Sequence, residues 1–159
     1  MQFKAIFAAA IAAALAACNP VEVLDDTTTS IDAFHQQWAD PDVAVMWRNA
    51  DPEFRELVGL ERFETMIVDF REILGDQQSS ERENFTVNSH NGTTVATVVM
   101  RTQFANGEGL ETFVFRQNGE RMQLAHYAVQ SPLLDGYDWS KLEGEGFTYE
   151  PAPDAVPTD

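Results

Sequence analysis

The chain is predicted to fold as an α+β domain, with N-terminal helices packed on a four-stranded antiparallel meander. Two observations carry this expectation. Apolar residues recur every three or four positions as far as Leu74, and beyond Gly75 they recur every second position. Asn-Gly pairs at Asn91-Gly92 and Asn118-Gly119 then mark hairpin turns in the second half. Helices first and strands second is the signature of segregated α+β layers rather than of alternating α/β units.

Ser30 is the expected N-cap of the first helix, with Ile31, Phe34 and Trp38 following at helical spacing. Asp40-Pro41 breaks it, and a short second helix carries Val43, Met46 and Trp47 on one face. Asp51-Pro52 opens a third, because proline suits a first helical position. The clearest helix runs through Leu60, Phe63, Met66, Ile67, Phe70, Ile73 and Leu74 and stops at Gly75. It is the amphipathic element expected to cover the sheet.

The first strand alternates through Phe85, Val87 and Ser89. Ala96, Val98, Met100, Thr102 and Phe104 share one face of the second. Residues 110–117 (LETFVFRQ) make the third and residues 121–130 (RMQLAHYAVQ) the fourth. Residues 30–134 are therefore read as the domain. Residues 18–29 are read as an acidic tether, and 135–159 as an acidic, proline-containing tail that is at least partly disordered. Within that tail Tyr137, Trp139, Phe147 and Tyr149 are too aromatic for a plain linker and point to docking on the domain or a partner.

Residues 1–17 read as a signal peptide, with Lys4 in a short basic region and an apolar stretch after it. The apolar run is about 13 residues, short of the ~20 that a bilayer core requires. Leu15-Ala16-Ala17-Cys18 resembles the lipobox of bacterial lipoproteins, and Cys18 is the only cysteine in the chain. The resemblance implies a lipid on the Cys18 thiol and attachment to the bacterial cell envelope. Asn19 stands where an Asp would imply retention at the inner membrane, so the outer membrane, facing the periplasm, is expected.

Loss of the leader removes Lys4 and no acid, leaving 26 acids against 9 bases, a formal charge of −17. Such a surface repels nucleic acid, which is excluded as a partner. About 140 mature residues with 9 Phe and 3 Trp suffice for one packed domain. One cysteine allows no internal disulfide, and no EF-hand-like loop or His/Cys metal spacing is present. No cofactor or metal is expected.

The element order resembles the curved-sheet cone of the nuclear transport factor 2-like and cystatin-like group, which implies that the four-stranded meander is curved and cone-like. Trp38, Trp47, the Phe63–Leu74 helix closed by Gly75, the two Asn-Gly turns and Phe113-Val114-Phe115 carry the likeness over residues 30–134. This chain departs from the group in its broken first helix. No GxSxG, HExxH or phosphate loop occurs. Two site readings follow. His126 alternates with Met122, Leu124 and Ala128, and Asp69 flanks the apolar stripe of the long helix. Together they would form the proton-transferring pair of a dehydratase- or isomerase-like cone enzyme. The competing reading makes His126 a core histidine and turns Asp69 to water near Arg62 or Arg71. Phe113, Phe115 and Tyr127 are the second candidate, an aromatic patch for a protein partner or small apolar ligand, unless that face is core. A non-enzymatic envelope binding module is preferred to the enzyme.

Overall fold

A computed structural model describes residues 19–143. It contains four α-helices followed by a four-stranded antiparallel sheet in the order β1-β2-β3-β4, an α+β fold. The helices are α1 (Pro20–Trp38), α2 (Ala44–Asn49), α3 (Pro52–Val58) and α4 (Leu60–Leu74). The strands are β1 (Gln77–His90), β2 (Thr93–Phe104), β3 (Gly107–Asn118) and β4 (Arg121–Gln130). Two 3-10 turns, Pro132–Leu134 and Trp139–Leu142, follow.

The first helix begins eleven residues earlier than expected, so residues 19–29 are not a tether. Asn19, rather than Ser30, is the N-cap, its side chain accepting from the Val21 amide at 3.1 Å, and Pro20 fills the first helical position. A Thr-Thr-Thr-Ser run is a poor helix former because its hydroxyls compete for the backbone. Here they bond inside the helix instead. Thr28 and Thr29 donate to the carbonyls of Leu24 and Asp25, and Ser30 to that of Asp26, each four residues back. Val23, Thr27, Ile31, Phe34 and Trp38 form one buried stripe along all 19 residues.

This stripe makes α1 the helix that packs on β1, β2 and β4. The long amphipathic α4 packs on α2, α3 and the two 3-10 turns. Asp51 caps α3 by accepting from the Glu53 and Phe54 amides. Gly75 ends α4 at φ +81°, and its carbonyl accepts the Trp38 indole N–H at 3.1 Å. The turns at Asn91-Gly92 and Gly119 have positive φ, as their sequences require. The third strand starts at Gly107, closing a two-residue hairpin through Ala105-Asn106.

The inner sheet face meets α1 through rings. Phe34 lies 5.2 Å from Phe113 and 4.7 Å from Tyr127, and Trp38 lies 5.5 Å from Phe104. Irregularities in β1 and one bulge in β4 bend the sheet around this core. The docked C-terminal segment closes the far side of α4. Tyr137 and Trp139 meet Phe70 edge to face at 5.6 and 5.9 Å, and Leu142 is buried. Among the described residues no helix is long and apolar enough to cross a membrane.

Candidate functional site

The β4 bulge decides where the histidine expected to be catalytic points. Val114 pairs with His126 but Phe115 pairs with Leu124, so Ala125 is an extra residue. Before the bulge Met122 and Leu124 face the core; after it Tyr127 and Val129 do. His126 therefore sits opposite Val114, on the outer face of the sheet, and not with Met122 and Leu124. Asp69 is on α4, where its Oδ2 accepts from the Tyr137 hydroxyl at 2.8 Å and the Lys141 ammonium at 3.0 Å. It anchors the C-terminal segment. The expected His126–Asp69 pair is not assembled, and neither Arg62 nor Arg71 is the partner of Asp69.

Phe113, Phe115 and Tyr127 do share one face, but that face is core. Their exposures are 0, 2 and 2%, so they form no exposed aromatic patch. The helix α1, whose first turns lie in the stretch read as a tether, covers the group. Cys18 lies outside the described residues.

Two features emerge instead, one on each flank of α1. The first is an apolar groove of about 240 Å³ where α1 and α2 diverge above the ends of β3 and β4. Phe34, Met46, Phe113, Phe115, Met122 and Leu124 line it, and Ala33, Gln37, Asn49 and Arg121 stand on its rim. Thus Phe113 and Phe115 reach a candidate ligand site as its floor rather than as a surface patch.

The second is a buried polar cluster centred on Glu111, which is 0% exposed. Strand alternation places Glu111 inward with Phe113 and Phe115. The Tyr127 hydroxyl donates to its Oε1 at 2.7 Å. The Thr102 hydroxyl donates to Oε2, which His35 Nε2 also meets at 2.8 Å. Thr102 and Tyr127 are diagonal cross-strand neighbours of Glu111 on β2 and β4, while His35 reaches down from α1. A carboxylate out of water is costly unless donors converge on it. Here three do, each from a different element. Ser80 on β1 extends the chain, 2.8 Å from the Thr102 hydroxyl.

Sequence reasoning missed this cluster, although a signal for it existed. An acid and a threonine on the apolar faces of adjacent strands require partners, and His35 follows Phe34 on the helix above. Among the described residues no three His, Cys, Asp or Glu side chains converge as a metal site. The geometry therefore defines a small α+β domain with a filled interior, an apolar groove and a buried Glu–His–Thr–Tyr cluster. No protein-family model matches the chain, and no curated protein matches it.

Proposed function

We propose that this protein is a lipid-anchored module of the bacterial cell envelope, held to the outer membrane through lipid on Cys18 and facing the periplasm. Its work there is binding rather than catalysis, and its site is the groove beside Phe34, taking a small apolar ligand. The lipobox-like sequence supports the anchor. Two or three acyl chains, at ~0.8 kcal/mol per buried methylene, hold a domain of this size firmly to a membrane.

The groove is the observation that carries the binding role. Its apolar floor and polar rim match the general make-up of ligand sites. A ~150 Å³ apolar cavity holds benzene, so about 240 Å³ accommodates a single substituted ring or a short branched chain. The aromatic packing of Phe34, Phe113 and Tyr127 leaves the interior to side chains, which favours a flank site over an enclosed reaction chamber.

The test uses the chain from Asn19 onward with indole as probe. The methyl resonances of Met46 and Met122 should shift saturably, and Ala33→Trp, which fills the groove from an exposed helix position, should abolish the response. Methyls that stay silent at saturating indole refute the site. Separately, Cys18→Ser should prevent incorporation of a labelled fatty acid in a bacterial host; labelling that survives the substitution refutes the anchor.

A further inference from the structure

On the other flank of α1, about 100° or more around the helix from the groove, lies an open polar depression of about 280 Å³. Asp32, His35, Gln36, Gln77 and Ser80 line it. Two of these, His35 and Ser80, are the ends of one hydrogen-bond chain that passes underneath through Glu111 and Thr102. The depression is thus a place where that chain meets solvent.

The chain has a fixed direction. Thr102 owns one hydroxyl proton and gives it to Glu111, so between Ser80 and Thr102 the donor is Ser80. Ser80 has then no proton left, and its oxygen turns only lone pairs toward the depression. His35 follows the same logic. When the ring is neutral and gives its Nε2–H to Glu111, its Nδ1 carries a lone pair, and Nδ1 has no partner among the described residues. The His35 side chain is 8% exposed. Asp32, one helical turn before His35, adds an exposed carboxylate. Ser80 and Asp32 therefore accept, as does His35 in its neutral Nε2–H form, and the two glutamine amides can turn either end outward.

We propose that this depression is a binding site for a primary ammonium group, held by the Ser80 hydroxyl oxygen, His35 and the Asp32 carboxylate. Three N–H donors on one compact cation match three acceptors lining one depression. The formal charge of −16 enriches cations around the whole molecule. A bare metal ion is a poorer fit, because Asp32 and His35 are the only ligand-type residues on the rim. A quaternary ammonium has no N–H to give and the depression has no aromatic face, so charge alone does not satisfy it.

The experiment takes the full chain in a non-ionic detergent and follows its amide NMR spectrum during titration with n-butylammonium chloride. n-Butanol and tetramethylammonium chloride, at matched ionic strength, are the comparison probes. Butylammonium alone should give saturable shifts at Ser80 and at the Gln36 and Gln77 side-chain amides. Its dissociation constant should rise at least five-fold in Ser80→Ala and in Asp32→Asn. Equal shifts with tetramethylammonium, or unchanged affinity in both variants, overturn the proposal. Should Ser80→Ala lose the native spectrum, Asp32→Asn, at an exposed helix position, decides alone.

Discussion

Removal of one oxygen, Tyr127→Phe, tests the Glu111 cluster most sharply. Tyr127 is 2% exposed, and its hydroxyl is the one donor among the described residues that reaches Glu111 Oε1. Phenylalanine keeps the ring contacts with Phe34 and Phe113, so the change is electrostatic rather than a loss of packing. A hydrogen bond to a charged group is worth about 1.5–3 kcal/mol, and a buried acceptor left bare forfeits its solvation as well. A destabilisation of about 2.5 kcal/mol is therefore expected. An unfolding entropy of about 2.1 cal/mol/K per residue, over the roughly 125 residues from 19 to 143, makes that a fall of about 10 °C in Tm. Thermal unfolding followed by circular dichroism reads it directly. In a Glu111→Gln background the same substitution should cost less than half as much, because the charge that Tyr127 serves is gone. A fall under about 3 °C in the otherwise native chain would refute the reasoning, since water or another donor would then be serving Oε1.

Four further substitutions have local consequences. Gly75→Ala should cost about 2 kcal/mol or more, because φ +81° with ψ −170° is almost reserved for glycine and a Cβ there would stand 2.9 Å from that of Ala105. Gly119→Ala, at φ +64° with open space around it, should cost about half as much by the same denaturant midpoint measurement. Asp69→Asn should loosen the C-terminal segment by weakening its bonds to Tyr137 and Lys141. Trp139 fluorescence should shift to the red while the main unfolding transition holds. At Asp138 the Ser140 hydroxyl, and then the Ser140 amide, hold the carboxyl below its ordinary range. A depressed folded-state pKa means that the contact stabilises above the unfolded-state pKa and is lost as pH falls through the folded one. Ser140→Ala should raise the carboxyl titration midpoint seen by NMR; an unchanged midpoint would remove Ser140 as the cause.

Period was a good guide to this fold wherever one residue type dominated each position. The switch at Gly75 from 3.6 to 2 separates helices from strands because α4 and β2 each bury a nearly pure apolar stripe. The Asn91-Gly92 turn was legible because few residues other than Asn and Gly accept its positive φ angles. The start of α1 was hidden for an equally physical reason. Residues 25–30 are all acid or hydroxyl residues, a composition that favours caps and loops. Only the four-back bonds of the hydroxyls and the burial of Val23 and Thr27 against the sheet turn that stretch into helix. No local rule contains those tertiary contacts.

The site residues divide along the same line. His126 was misplaced because one bulge residue, Ala125, reverses the alternation for the rest of β4, and nothing in RMQLAHYAVQ marks where a bulge falls. That same reversal turns Tyr127 inward, close enough for its hydroxyl to reach Glu111. Strict alternation from Leu124 with no bulge would carry His126 into the core and Tyr127 out of it, and the buried carboxylate would lose one of its three donors. The bulge absorbs Ala125 and so keeps Tyr127 opposite Phe113 on the inner face. Bulge and buried acid are thus one device: the sheet can hold Glu111 out of water because β4 breaks step next to it. Deleting Ala125 removes the bulge yet leaves Leu124 in, His126 out and Tyr127 in, as consecutive partners of Phe115, Val114 and Phe113. The deletion should therefore spare the Glu111 cluster and cost less in urea unfolding than Glu111→Ala. A deletion as damaging as Glu111→Ala would break that link.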